Sequence, residues 1–509
     1  MSAFMEGVVT TVFDPNKAHG DPSTFPIMQA LKNTPRPAPF PSSSRRPISD
    51  SVERRLNCDV LREIFMWCTA EFPTTNLMAL TPSRCFPDNV ASVCSRWRDV
   101  ALSTPQIWSN IDTRHRDGPQ EAGITQENPF PWNQVLKRLS LSGKVPLTLK
   151  FLSEKDDWDH FADTINLVEG LQERCRSISV AYTHGTRMIL SRPLPSSLVD
   201  LHNMPLLEEL DLCIPSLEEW NEPAFLVDLS SAICLKSLRI TICDSRFSLF
   251  SDGTPLTQLT SIVLCTPFHE ALIDVDACMQ LLEIAPALEH FAAEVGEIAD
   301  NTFSPETTRN TDIRLERLTH FSLCYHQKPF LLQYILQRIT LPRLEELKIG
   351  MGDEGDEEED VDIHQGTPTG ITSFVKRSST HLTKLHLSSV DITEIFHTLA
   401  VSPNLTSLEL DNVCADGVYG ERELVLALAI QHGRRVLCPM LETLVFSYCK
   451  LGSCVTEAAY LVASRWNLPA GLRRLAGVAF VGCDDVSLIV AHTAVVLCIA
   501  QGLRVTVES

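Results

Sequence analysis

Three glycines have a spacing that could serve nucleotide chemistry. Gly350, Gly352 and Gly355 follow a strand-like segment with the G-x-G-x-x-G pattern of a dinucleotide-binding loop. Their context argues against it. No helix start follows to supply a positive end, and the adjoining carboxylates would repel a pyrophosphate. We interpret this segment as a plain loop.

The histidines and cysteines also lack the partners that catalysis or metal binding requires. His269 and Glu270 begin the H-E-x-x-H pattern of a zinc protease, but Ile273 stands at the position of the second histidine. Three cysteines come near one another in the chain without completing a tetrahedral set, and we expect them to be buried and structural: Cys449, Cys454 and Cys483. The chain contains no G-x-S-x-G and no P-loop motif. We therefore predict no catalytic residues, no metal site and no cofactor.

The composition bounds the class of protein. The chain has 509 residues, 44% of them hydrophobic, and a formal net charge of -21. Such acidity opposes binding to nucleic acid and favours basic protein partners. The longest apolar run, around residues 486–500, is too short and too polar to span a membrane. The absence of a signal-like N-terminus and the cysteines within apolar runs favour the cytoplasm, the nucleus or both over secretion.

The elements that must position any site begin after a proline-rich segment, residues 1–50, which we expect to be disordered. The segment LNCDVLREIFMWC predicts an amphipathic helix with Leu61, Ile64, Phe65 and Cys68 on one apolar stripe. Asn57 or Asp59 is expected to cap its start.

A second helix is predicted from Asp88, its expected N-cap, to Thr104-Pro105, where the proline ends it. Its buried stripe is expected to contain these residues: Val90, Val93, Cys94, Trp97 and Ala101. Ile107 and Trp108 are expected to pack back against it. Together the two helices form a small all-α domain over residues 51–112.

Residues 113–509 contain a recurring L-x-x-L-x-L motif at intervals typical of leucine-rich repeats. Its clear copies are LLEELDL (206–212), LKSLRI (235–240), LTSIVL (259–264), LTHFSL (318–323), LEELKI (344–349), LTKLHL (382–387), LTSLEL (405–410) and LETLVF (441–446). LKRLSL (136–141) is interpreted as an earlier copy, and LEHF (288–291) and LRRL (472–475) as truncated ones. The interval around residues 352–370 holds eight carboxylates between Asp353 and Asp362 and is expected to be a disordered loop.

The predicted fold class is therefore α/β: a small helical module, then an irregular solenoid whose parallel sheet lines the concave face of a horseshoe. The residues between the leucines of each strand should point outward, and repeat proteins often bind ligands on this face. The outward positions proposed for substrate binding, with a plain solvated face as the alternative, are Glu209, Asp211, Arg239, His320, Glu346, Lys348, Lys384, His386, Glu409 and Asp411.

Residues Leu56 to Ile111 resemble an F-box, the module that binds the Skp-type adaptor of cullin-RING ubiquitin ligases. The specific part is V-C-x-x-W-R-x-x-A (93–101) followed by Pro105, Ile107 and Trp108. The S-T-P-x-[LI]-W segment, the strand SGKVPLTLKF (142–151) and the degenerate repeats are similar to those of the expanded F-box-like proteins of mushroom-forming fungi.

The resemblance implies a set of adaptor-binding residues: Leu56, Asn57, Asp59, Leu61, Ile64, Phe65, Val93, Trp97, Ile107 and Trp108. The chain departs from the family at Asn57, where a proline usually follows the first leucine. The resemblance implies a substrate-recognition subunit of an SCF-type ligase that binds the adaptor, through it the cullin, and a protein substrate. The alternative hypothesis is a repeat scaffold that binds proteins outside any ligase. An enzymatic function is the least favoured hypothesis.

Overall fold

The computed structural model describes residues 57–71, 87–112, 132–153, 170–182, 204–214, 225–229, 232–242, 247–250, 255–266, 275–295, 312–325, 329–351, 370–378, 381–413, 418–431, 433, 435–467 and 472–508. The chain divides into two compact units, Met1–Leu147 with Asp159–Arg174, and Thr148–Trp158 with Cys175–Ser509. The predicted disordered arm, the acidic residues 352–369 and Leu56 lie outside the described residues.

The described elements of the first unit are mainly helical. They are helices α1 (Cys58–Glu71), α2 (Asp88–Val93) and α3 (Ser95–Leu102), a 3-10 turn (Pro105–Trp108), the short strand β1 (Asn110–Asp112), helix α4 (Trp132–Leu141) and a 3-10 turn (Gln172–Arg174). The structure places α4 with this unit, whereas the sequence pattern assigned everything after residue 112 to the repeats.

The core of the first unit is built from both predicted helices and the turn after them. Its buried residues are Leu61, Phe65, Val100, Ala101, Ile107 and Trp108. Leu61 and Phe65 are four residues apart and lie on one face of α1. The prediction that the Pro105–Trp108 segment packs back on the helices is confirmed, because Ile107 and Trp108 are both buried.

The second predicted helix is interrupted at Cys94, which corrects the expectation of one continuous helix. Cys94 adopts extended backbone geometry, with φ −155° and ψ 172°, and its Sγ accepts a hydrogen bond from the backbone N–H of Trp97 at 3.4 Å. The thiol therefore caps α3, and the break turns Val93 outward instead of into the predicted stripe. The residue that precedes the first segment is Pro87, so Asp88 is the first helical residue and not the N-cap.

The second unit contains strands β2 (Leu147–Ser153), β3 (Cys175–Tyr182), β4 (Glu209–Ile214), β5 (Phe225–Asp228), β6 (Ser237–Ile242), β7 (Phe247–Phe250), β8 (Ser261–Cys265), β9 (His290–Val295), β10 (Ile313–Arg314), β11 (His320–Tyr325), β12 (Ile339–Thr340), β13 (Glu346–Met351), β14 (Lys384–Ser388), β15 (Ser407–Asp411), β16 (Thr443–Ser447), β17 (Gly477–Val481) and β18 (Arg504–Glu508). Its helices are α5 (Val275–Ile284), α6 (Pro329–Arg338), α7 (Ile371–Ser378), α8 (Ile392–Ala400), α9 (Val418–Leu428), α10 (Val455–Trp466), α11 (Val486–Ala491) and α12 (Thr493–Ala500), with a 3-10 turn (Leu451–Cys454) before α10.

One long parallel sheet organises the second unit, so the predicted α/β class is confirmed. Its order is β2-β3-β4-β6-β8-β9-β11-β13-β14-β15-β16-β17-β18, and β5–β7 and β10–β12 form two small parallel pairs. From β3 onward the neighbouring strands are parallel. In the eight clear copies the x-L-x-L part of the motif is the strand, as predicted.

The register stacks equivalent apolar side chains in columns. One column runs through Leu210, Leu238, Ile262, Phe291, Phe321, Leu347, Leu385, Leu408, Leu444 and Val478. All of these side chains are buried, and the Phe291 and Phe321 rings stack with centroids 5.6 Å apart. A fully buried Leu contributes roughly 2 kcal/mol of transfer free energy. Because these side chains are buried only between stacked strands, a single repeat would not be stable without its neighbours.

A recurring turn precedes most of the motif strands. The N–H of the first motif leucine binds the carbonyl three residues back, for example Leu344 to Leu341 at 3.2 Å and Leu405 to Ser402 at 3.4 Å. In five motifs a proline lies within this turn, two residues before the leucine: Pro205, Pro286, Pro342, Pro403 and Pro439. Proline favours the second position of such a turn, so these residues mark the register in the sequence.

Two motif assignments are corrected. LKRLSL (136–141) lies in helix α4, where Val135 and Leu139 are buried four residues apart, so it is a helical stripe and not a strand. In the last copy the buried leucine is Leu475, two residues before β17, and the half-buried Leu472 does not occupy the motif's first position. Among the described residues, no helix is both long and apolar enough to cross a membrane.

Candidate functional site

Helix α1 carries two apolar faces, and only one of them packs inside the first unit. Leu61 and Phe65 are in the core, while Val60, Ile64 and Trp67 have exposed fractions of 45%, 42% and 68%. The exposed residues are spaced i, i+4 and i+7, so they form one continuous stripe. We call Val60, Ile64 and Trp67 the α1 apolar stripe.

The residues predicted to bind an adaptor divide between core and surface. Leu61, Phe65, Ile107 and Trp108 are buried core residues, whereas Ile64 and Val93 are exposed. Trp97 is half-buried, and its ring meets that of Phe65 edge to face with centroids 5.3 Å apart. The exposure of Val93 corrects the expectation that it joins the buried stripe of the second predicted helix.

The predicted adaptor-binding set lacks three exposed apolar residues of α1: Val60, Met66 and Trp67. The sequence of α1 does contain a pattern that indicates these residues. Val60, Ile64 and Trp67 lie on one face of the helix, and Leu61 and Phe65 lie on a second face beside it. A single-stripe interpretation merges these faces.

Asn57 and Asp59, the two residues predicted as caps, both form hydrogen bonds at the start of α1. The Oδ1 atom of Asn57 accepts a hydrogen bond from the N–H of Asp59 at 3.3 Å. The Asp59 carboxylate in turn pairs with Arg62 at 2.9 Å, and both Asn57 and Asp59 are exposed. The prediction that Asn57 or Asp59 caps this helix is met by Asn57.

The sheet of the second unit presents the other candidate surface. All the proposed substrate-binding residues lie on strand positions that alternate with the buried leucine columns, as predicted. We call these alternating positions the outward face. The register gathers them into two groups: Glu209, Asp211 and Arg239 on β4 and β6, and His320, Glu346, Lys348, Lys384, His386, Glu409 and Asp411 on β11 to β15.

One ion pair and two histidine–carboxylate contacts join neighbouring strands within the larger group. Lys384 Nζ lies 2.9 Å from Glu346 Oε2, and His320 Nε2 lies 3.7 Å from the same oxygen. His386 Nδ1 lies 3.0 Å from Glu409 Oε2. The hydrogen bond from His386 lowers the pKa of the Glu409 carboxyl. This group therefore holds its polar side chains at a fixed cross-strand spacing.

The smaller group is held mainly by hydroxyl donors. Ser177 Oγ binds Glu209 Oε2 at 3.0 Å, and Ser179 Oγ binds Asp211 Oδ2 at 3.2 Å. Arg239 is in register with Asp211 on the neighbouring strand and remains exposed. These partners orient the two carboxylates toward the adjacent strand.

Sequence reasoning missed the residues between the two groups. His290 lies beside His320 with ring centroids 5.9 Å apart, and Glu294 Oε2 accepts from the N–H and hydroxyl of Thr266 at 2.8 Å and 2.7 Å. LEHF (288–291) matches only part of the motif, so the sequence pattern does not point to its outward positions. Burial, with a further contribution from His320, lowers the pKa of His290.

The cysteines of the second unit are mostly structural. Cys449 and Cys454 are buried as predicted, whereas Cys483 is half-buried and its Sγ accepts the Cys449 N–H at 3.4 Å. On the outward face, burial raises the pKa of Cys324 to about 11, which disfavours the nucleophilic thiolate at neutral pH. Within the described ranges, no cluster of three or more His, Cys, Asp or Glu residues could hold a metal ion.

Comparison of the chain with known protein families and with curated proteins finds no match. The arguments about function therefore rest on the residues and their geometry.

Proposed function

We propose that the chain is a substrate-recognition subunit of an SCF-type cullin-RING ubiquitin ligase. In this proposal the helical unit is an F-box-like module that binds the Skp-type adaptor. The second unit is a leucine-rich-repeat solenoid that binds a protein substrate on its outward face. Ubiquitin transfer belongs to other subunits, and this chain contributes proximity.

The observation that carries the proposal is the α1 apolar stripe. The first unit has a core of its own, yet three large apolar side chains of one helix face remain exposed. A contiguous apolar face marks an interaction site, and a partner groove that accepts one amphipathic helix is the fitting cover. Trp67, the most exposed of the three, has the size and type of an interface anchor.

The outward face supports the second half of the proposal. Its polar residues are spaced by the strand separation and held by cross-strand contacts, such as the Lys384–Glu346 ion pair and the His386–Glu409 hydrogen bond. A preorganised polar surface costs little side-chain entropy on binding. The net charge of -21 favours a basic substrate.

Co-purification of the full chain with a Skp-type adaptor tests the first half. The wild-type chain is expected to bind. Ile64→Lys is expected to weaken binding by roughly tenfold or more, because it places a charge in the apolar contact. Arg62→Gln is the control, since Arg62 lies on the opposite side of the same helix from the stripe, with its side chain partly exposed, and should change binding little. If the wild-type chain does not bind under conditions in which a known F-box protein does, the ligase proposal is wrong.

A repeat scaffold outside any ligase is the second candidate, and Asn57 is the observation that favours it. The side chain of Asn57 caps α1 at the position where F-box proteins usually carry a proline. Asn57→Pro distinguishes the two functions. Under the ligase proposal the wild-type chain already binds the adaptor, and Asn57→Pro binds it equally well or modestly better. A chain that acquires adaptor binding only as Asn57→Pro is a scaffold in its natural form.

A further inference from the structure

Among the described strands, β18 is the last in the order of the long sheet and pairs with β17 alone. Arg504 N–H binds Ala476 O at 3.4 Å, and Gly482 N–H binds Glu508 O at 2.8 Å. The backbone groups of Arg504 and Glu508 thus point toward β17. Because these directions alternate along a strand, the N–H and C=O groups of Val505 and Val507 point to the open edge.

Exposed apolar side chains lie on β18 and on the helix that precedes it in the chain. Val507 on β18 has an exposed fraction of 53%. In the preceding helix, Val495 and Cys498 are buried, whereas Val496 and Leu497 are 48% and 57% exposed. Helix α12 is apolar on several sides but buries only one of them. A strand edge whose backbone groups point away from its sheet partner is a template for pairing with another chain.

The sequence of β18 is complementary to itself. Antiparallel pairing of Arg504-Val505-Thr506-Val507-Glu508 with a second copy, centred on Thr506, sets Arg504 opposite Glu508 at both ends. It also sets Val505 opposite Val507, and these are the residues whose backbone groups point outward. The valines then exchange hydrogen bonds, while Arg504 and Glu508 fall at non-hydrogen-bonded positions, where facing side chains approach most closely.

We infer that β18 is a dimerisation edge at which two copies of this chain join their sheets about a two-fold axis through Thr506. The charge pattern singles out a second copy as the partner. Neither Arg504 nor Glu508 forms an ion pair with any of the described residues of its own chain, and each finds its opposite charge in the symmetric register. A two-fold contact of this kind is closed, so assembly stops at two chains. The inference is independent of the proposed ligase function.

Charge reversal in the full chain tests the register. Arg504→Glu places like charges opposite Glu508 at both ends, and Glu508→Arg does the same opposite Arg504. Each single variant is expected to weaken dimerisation by roughly tenfold or more, since two attractive pairs become repulsive. Sedimentation velocity over a concentration series measures the association, with circular dichroism to verify folding.

Two combinations make the test specific. An equimolar mixture of Arg504→Glu and Glu508→Arg chains is expected to form a heterodimer, because each cross-chain pair again joins opposite charges. The double variant Arg504→Glu/Glu508→Arg is expected to dimerise with itself as the wild-type chain does.

These rescues cannot arise from misfolding of either single variant. A wild-type chain that stays monomeric throughout the series overturns the inference. Wild-type assemblies larger than a dimer also overturn it. The inference is equally wrong if the mixture and the double variant both fail to associate.

Discussion

The indole N–H of Trp108 donates a hydrogen bond to the carbonyl oxygen of Ala101 at 2.8 Å, and both residues are buried. Ala101 belongs to the last turn of α3, where a helix leaves carbonyls without intrahelical partners. Thr104 satisfies another of these groups, since its hydroxyl binds the carbonyl of Val100 at 2.6 Å. The segment after Thr104 thus ends the helix and places Trp108 in the core.

Trp108→Ala is therefore expected to destabilise the first unit by about 3–5 kcal/mol, through a cavity and a lost hydrogen-bond donor. Hydrogen exchange of peptides from α1 and α3 in the full chain measures this loss as reduced protection. Trp67→Ala is the matched control: Trp67 is largely exposed, so its removal should cost no more than about 0.5 kcal/mol. Equal loss of protection in the two variants would contradict this account of the core.

Much of the first unit follows from the sequence because proline and apolar spacing act locally. Thr104-Pro105 marks the end of α3 correctly, and Leu61 and Phe65 are correctly assigned to the core. The break at Cys94 was not predicted, since it depends on a thiol that caps the next helix and cysteine is not among the usual N-cap residues. Helix α4 was missed because leucines three residues apart fit both a repeat motif and a helix.

The corrected register of the last repeat gives a second prediction. Leu475 is fully buried two residues before β17, whereas Leu472 is half-buried. Leu475→Ala is expected to cost about 2–5 kcal/mol, and Leu472→Ala less than half as much. Hydrogen exchange of β17 and α10 peptides compares the two variants. Greater loss of protection in Leu472→Ala would restore the original register.

A third prediction concerns Arg465, which is fully buried in α10. Its guanidinium donates to the carbonyls of Leu428 at 2.7 Å, Cys438 at 2.8 Å and Leu437 at 2.6 Å. Arg465 thereby connects α10 to the end of α9 and to the turn before β16. Arg465→Met leaves these carbonyls without their donor, so a loss of at least about 3 kcal/mol is expected.

Urea unfolding followed by circular dichroism measures the effect of Arg465→Met as a lower midpoint or a new early transition. Arg473→Ala is the control, because Arg473 is exposed and its ion pair with Glu442 should contribute less than about 1 kcal/mol. An unchanged curve for Arg465→Met would show that water replaces the guanidinium at all of these carbonyls.

The sequence predicts which residues lie on the outward face, but it does not predict which of them contact each other across strands. Period-two alternation correctly identifies which residues leave the core, from Glu209 on β4 to Asp411 on β15. Cross-strand partners such as His290 and His320 depend on the register of segments 30 residues apart, which a degenerate motif does not fix.

The last prediction is a pH dependence that arises at Glu421 in α9. Its carboxylate is buried and accepts a hydrogen bond from the N–H of Lys450 at 3.2 Å. Burial, reinforced by Asp484, raises the pKa of Glu421 above its ordinary value, although Lys450 acts in the opposite direction. The folded state therefore favours the protonated form. The stability that the protonated Glu421 carboxyl contributes is fully present below the pKa that Glu421 has in the unfolded chain. It is lost as the pH rises through the raised pKa of the folded state.

Glu421→Gln mimics the protonated carboxyl and keeps the acceptor for Lys450. The variant is expected to be more stable than the wild-type chain at neutral pH, and the difference should vanish as the pH falls below the ordinary range of a glutamate. Urea midpoints measured across this pH interval check the trend. Glu423→Gln, exposed on the same helix, should change stability by no more than about 0.5 kcal/mol. A Glu421→Gln variant that is less stable than wild type at neutral pH would show that the charge, through Lys450, stabilises this turn.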